Sequence, residues 1–130
     1  MVVDQGVNLM GKSYKELVVW EKAMELAEET YKLVEKLPKQ ETYALSDQMR
    51  RAAISIPSNI AEGQRRNSTK EFKQFLSIAD GSCAELETQI LIAIRIGLLD
   101  SFQCENCLNL CTEVAKMITG LKSHLLTTNN

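Results

Sequence analysis

Four cysteines, a lone histidine and a close pair of glutamates are the residues of this 130-residue chain whose types can carry reaction chemistry. Cys104, Cys107 and Cys111 fall at i, i+3 and i+7, one stripe of a helix. Thiols so placed can ligate zinc or form disulfides, but zinc sites pair cysteines with a second pair or with histidines at set spacings. No histidine is near, and the three coincide with an apolar repeat. Together with Cys83 they are expected to be reduced core residues, because free cysteine is among the most buried types. A redox or metal role is the alternative.

His124 is preceded three residues earlier by Leu121, so the Glu-x-x-His pair of a di-iron bundle is missing. A hydrolytic triad needs a base held beside a nucleophile, and His124 sits close to the chain end. Helical-bundle ribonucleases place an arginine four to six residues before the histidine; here residues 118–120 are Ile, Thr and Gly. Glu85 and Glu87 suggest paired carboxylates for acid–base work, yet two residues apart on a helix they face different directions. No phosphate-cradling glycine loop is present. The sequence therefore predicts no enzyme, no cofactor and no metal site.

Charge is distributed more unevenly than its total suggests. Between Arg50 and Lys73 lie six basic residues (Arg50, Arg51, Arg65, Arg66, Lys70 and Lys73) against Glu62 and Glu71. The remainder carries nine basic and fifteen acidic residues, leaving a net charge of −2. Such a total argues against wholesale electrostatic binding to nucleic acid or anionic membrane. Arg65, Arg66, Lys70 and Lys73 must be neighbours around one loop and form a modest phosphate-binding patch, which a symmetric ring would multiply. Arg50 and Arg51 can instead pair with carboxylates, the face from Glu21 to Glu35 being the obvious partner. For Arg65 and Arg66 a solvated loop is the competing reading. Tyr14, Tyr43 and Phe102, the candidate stacking platforms, do not cluster by sequence.

Four helices are expected to position these groups. In the first, apolar residues recur at 17, 20, 24, 27, 31 and 34, with a parallel stripe through Val19, Ala23, Leu26, Leu33 and Leu37, so a wide face should be buried. Pro38 ends it. The second begins near Glu41 to Leu45 and runs through Met49, Ala52, Ala53, Ile56 and Ile60, with Pro57 predicting a kink and Gly63 a left-handed cap. Ser68-Thr69-Lys70-Glu71 is a capping-box pattern. Phe72, Leu76, Ala79, Cys83, Leu86, Ile90 and Ala93 then follow a seven-residue repeat ending near Gly97. Asp100 or Ser101 caps the fourth helix, whose stripe is Cys104, Cys107, Cys111, Val114, Ile118, Leu121 and Leu125. Short connections predict an all-α, antiparallel up-down-up-down four-helix bundle with a Pro-kinked second helix.

A chain of this length can bury a core without staples, and its Leu, Ile, Val, Ala and Met content suits helices. Residues 14–126 are expected to form the bundle, 1–13 a flexible tail and 127–130 a frayed end. Residues 1–13 lack the basic and apolar regions of a secretory signal, and the run from Ile90 to Leu99, interrupted by Arg95, is too short to cross a bilayer. A cytoplasmic location is expected.

The segments LVVWEKAMELA, Pro38 with Glu41, QMRRAAISIPSNIAEGQRR and STKEFKQFLSIADGSCAELETQI lie between Tyr14 and Gly97. On them the chain resembles a bacterial family of four-helix bundle proteins, first recognised in reading frames within intervening sequences of 23S ribosomal RNA genes. The resemblance implies an antiparallel bundle that assembles into a ring, commonly a homopentamer. A related branch holds the accessory variability determinant of diversity-generating retroelements, a pentameric barrel with a positive surface that associates with RNA and a reverse transcriptase. Carried over, this implies self-association, and RNA or a reverse-transcriptase-like protein as partner of Arg50, Arg51, Arg65, Arg66, Lys70 and Lys73. An oligomeric protein-interaction scaffold, with its arginines in subunit contacts, is the alternative.

Overall fold

The computed structural model describes residues 13–128. Four α-helices carry the fold: α1 (Val18–Val34), α2 (Asp47–Gln64), α3 (Thr69–Arg95) and α4 (Ser101–Thr128), with no strand among the described residues. Of the expected tail over residues 1–13, only Ser13 is among them. Its hydroxyl accepts from the Lys15 amide at 3.2 Å and starts a short 3-10 turn, Tyr14–Glu16. At the far end Thr127 and Thr128 belong to α4, while Asn129 and Asn130 lie outside the described residues. No described helix is long and apolar enough to cross a membrane.

The core is one cluster fed by all four helices. Every member of the α3 repeat (Phe72, Leu76, Ala79, Cys83, Leu86, Ile90, Ala93) is buried, as is every member of the α4 stripe from Cys104 to Leu125. In α1 the two expected stripes part company. Val19, Ala23, Leu26 and Leu33 are buried together with Thr30, whose hydroxyl donates to the Leu26 carbonyl at 2.8 Å. Trp20 and Ala27 are only half-buried, and Met24 and Tyr31 are exposed. The apolar face of α1 is thus wider than the bundle uses.

Two boundaries differ from expectation. The chain after Pro38 does not enter an α-helix at once; a 3-10 turn (Lys39–Glu41) and a π turn (Thr42–Ser46) precede α2. Gly63 is not a left-handed cap, because α2 continues past it and, among the described residues, only Gly97 has positive φ, at 84°. What position 63 requires is closeness: a Cβ there would stand 2.5 Å from the Phe75 Cβ. Gly97 terminates α3 in the left-handed region that glycine tolerates. Pro57 sits within α2 and is buried.

Caps hold the later helices. The Ser68 hydroxyl accepts from the Glu71 amide at 3.1 Å at the start of α3. At the start of α4 the box is reciprocal: the Asp100 carboxylate accepts from the Gln103 amide at 2.7 Å, and the Gln103 side chain accepts from the Asp100 amide at 3.0 Å. Side chains then tie neighbours together, Ser82 donating to Ser55 at 2.8 Å between α3 and α2, and Lys122 to Ser77 at 2.8 Å between α4 and α3.

Candidate nucleic-acid interface

The basic residues separate into two groups along α2. Arg50 and Arg51 lie in its first turns, and fifteen residues later, about 22 Å at 1.5 Å per residue, come Arg65 and Arg66. The first pair is held within its own helix. Arg51 Nε donates to Asp47 Oδ2 at 3.3 Å, and Arg50 Nη2 stands 4.0 Å from Asp47 Oδ1. Within the chain their carboxylate is therefore Asp47, three and four residues back, rather than the Glu21–Glu35 face.

The second group gathers where α2 ends and α3 begins. Arg66 is clamped: its guanidinium meets Glu62 at 2.8 Å and Glu71 at 3.9 Å, and lies 4.9 Å over the ring of Phe75. The base of the Phe75 side chain lies against Gly63, its Cβ 2.5 Å from where a Cβ at 63 would stand. Arg65 has no carboxylate partner among the described residues. Its guanidinium sits 6.0 Å over the ring of Tyr14, at the outer limit for a cation–π contact. Tyr14 meets Trp20 edge-on, with ring centroids 5.3 Å apart at 63°. Lys70 and Lys73 make no ion pair among the described residues; Lys70 is exposed and Lys73 half-buried.

Sequence reasoning named Tyr14 as a candidate stacking platform but not its place beside Arg65, and it missed Phe75. Tyr14 is some fifty positions from Arg65 and arrives only because the 3-10 turn before α1 packs against α2. Phe75 was hidden one position outside the core heptad, three residues after Phe72. Tyr43 and Phe102 are nearly fully exposed and no ring contact involves them among the described residues.

The thiols lie elsewhere and are quiet. All four cysteines are buried and free. Burial pushes the Cys83 thiol up to about 12 and that of Cys107 to about 11, and raises Cys104 and Cys111 as well. Neutral thiols of this kind are poor nucleophiles. Among the described residues no group of three or more His, Cys, Asp or Glu is placed to hold a metal. Beside the basic end, Trp20, Met24, Ala27, Ile54, Pro57 and Ala61 line an apolar groove of about 370 Å³ between α1 and α2.

A single four-helix core with a cationic corner beside aromatic rings defines a helical bundle protein. The chain belongs to the 23S rRNA-intervening sequence protein family, whose profile matches residues 15–120. It is similar to a crystal structure of a protein with unknown function from the S23 ribosomal protein family of Bacteroides thetaiotaomicron VPI-5482. That similarity has 28% identity and a TM-score of 0.75, and covers 81% of this chain and 98% of the other. Comparison with curated proteins gives no match.

Proposed function

We propose that this protein is a non-enzymatic, self-associating bundle that binds RNA through the basic corner formed by Arg65, Arg66, Lys70 and Lys73. The observation that carries the reading is the gathering of these four cations where α2 passes into α3. The apolar groove on α1 and α2 supports self-association, a second copy being its occupant. The helices that flank it carry both signs, Arg51 with Asp47 on α2 and Lys32 with Glu29 on α1, so identical copies can meet there without like-charge conflict. On this reading Arg50 and Arg51, one turn from Ile54, serve the rim of the assembly, and the corner serves the RNA.

Light scattering on the native particle tests the first half: a mass of several chains is expected, and a monomer refutes it. For the second half, RNA affinity should fall steeply with salt and collapse on charge reversal at Arg65 and Arg66. Retained binding in Arg65→Glu/Arg66→Glu, with loss of the oligomer in Arg50→Glu, favours a protein-interaction scaffold instead.

A further inference from the structure

The outward side of α3 is not built like a surface that faces water. From Gln74 to Ile96 its exposed positions carry only two charges, Glu85 and Arg95, while Ile78, Leu91, Ile92 and Ile96 are 51, 49, 45 and 62% exposed. On α4 the outward side shows the usual pattern, with Glu105, Asn109, Glu113 and Lys116 exposed. Ile78, Glu85 and Ile92 stand seven residues apart and so form one line along α3, which Leu91 and Ile96 widen.

Gly81 is an independent sign of the same thing. It lies in mid-helix, where glycine weakens α3 relative to alanine, and a Cβ there would meet nothing within 4 Å. Packing inside the chain therefore does not require this glycine, in contrast to Gly63. With Ala84 it opens a hollow of about 360 Å³ on the α3–α4 surface. A glycine so placed suits the close approach of another surface.

The α1–α2 groove has the shape to supply that surface. A concavity of about 370 Å³ is filled by a convex helix, whereas two such grooves set mouth to mouth would enclose a void. Because α1 and α3 each pack against α2 and α4, they occupy opposite corners of the bundle, and the outward side of α3 points away from the groove. A single two-fold contact cannot cover both faces. The scarcity of charge on α3 also leaves little to desolvate against a groove whose flanks are already paired.

Building on the self-association reading above, we infer that copies assemble head to tail, the outward side of α3 of one copy lying in the α1–α2 groove of the next. Every contact then joins two unlike faces, and each copy uses both. A ring results where the rotation between neighbours closes.

The test mixes two full-length variants, each blocked on one face: Ile54→Glu in the groove and Ile92→Glu on α3. Light scattering reads the native mass and circular dichroism the helix content. Alone, neither variant can form an intact contact, so each should have the mass of one chain with wild-type helix content. Mixed in equal amounts they should give the mass of two chains and no more. The intact α3 side of Ile54→Glu meets the intact groove of Ile92→Glu, and the remaining two faces are blocked. Gly81→Lys, which fills the hollow with a better helix former, should also be a single chain without loss of helix. Wild-type mass in Ile92→Glu or Gly81→Lys overturns the inference while leaving self-association in place. Two-chain mass in either blocked variant alone, or no gain on mixing, does the same. A wild-type protein with the mass of one chain removes the underlying reading, and this inference with it.

Discussion

Gly63 and Phe75 are in contact so close that the glycine's missing side chain is a structural requirement: a Cβ at 63 would lie 2.5 Å from the Phe75 Cβ and 3.1 Å from Cδ1 of Phe72. Neither neighbour can yield freely, since Phe72 is fully buried and the Cβ of Phe75 is fixed by the α3 backbone. Gly63→Ala should therefore destabilise the fold by about 2 kcal/mol, although alanine favours helix, because overpacking outweighs propensity here. Urea unfolding checks this through a lower midpoint at unchanged slope. In a Phe75→Gly background the same change should cost less, since the Cβ at 75 that it meets at 2.5 Å has gone.

The buried thiols predict an alkaline limit to stability. Unfolded cysteine titrates near the ordinary value of 9.0, whereas burial holds Cys107 near 11 and Cys83 near 12 in the fold. Below pH 9 both states keep the proton and stability is at its full value. Above it the unfolded chain alone releases protons, so stability falls as pH rises from about 9 towards 11–12. Urea midpoints measured from pH 8 to pH 11 should decline, and Cys83→Ala should flatten the curve while lowering it at pH 8. Alkylation by iodoacetamide at pH 7.5 should require unfolding.

At the start of α4, Asp100 and Gln103 satisfy each other's backbone amides at 2.7 and 3.0 Å. Removing the capping carboxylate in Asp100→Ala should cost about 1 kcal/mol, the usual loss for an N-cap aspartate. Gln103→Ala loses only the weaker return bond and should cost less. Thermal unfolding followed by circular dichroism separates the two.

How much of this was legible in the sequence follows from which interactions are local. The α3 and α4 seams could be read because a helix buried along one stripe repeats strictly, and cysteines within that stripe behave as small apolar residues. Local chemistry also exposed Ser68 as a cap and narrowed that of the fourth helix to Asp100 or Ser101. The α1 face misled, since Trp20, Met24 and Tyr31 share the apolar period but not the burial; periodicity reports apolar surface and not what covers it. Gly63 misled for a related reason, as a glycine near a helix end has two uses, a left-handed turn and a close approach, which only the neighbour Phe75 separates. At the basic corner the cations were evident, but their rings and clamps were not. Tyr14 is distant in sequence, and the pairing of Arg66 with both Glu62 and Glu71 depends on how the loop turns.

Ile54 is 46% exposed and Met24 37%, on facing sides of the α1–α2 groove. If a second copy covers them, a charge in the groove must be desolvated on assembly without a partner, which the interface cannot tolerate. Ile54→Glu should thus reduce the native mass by light scattering while helix content and melting of the single chain stay close to wild type. Unchanged mass would separate the groove from assembly.

Glu62 and Glu71 offset the charge of the exposed Arg66, and their removal offers a gain-of-function test. In Glu62→Gln/Glu71→Gln the guanidinium keeps its place over Phe75 but loses both carboxylates, and the corner gains two units of positive charge. RNA should then bind several-fold tighter, with a salt slope steeper by up to about 1 as Arg66 becomes a phosphate contact. The fold should scarcely notice, because exposed ion pairs contribute about 0–1 kcal/mol. Adding Arg66→Gln to the double variant should cancel the part of the gain that belongs to the released fork, leaving the part due to general charge. A gain that survives this third substitution intact would show that the carboxylates oppose RNA by repulsion alone and that the clamp on Arg66 is incidental to binding.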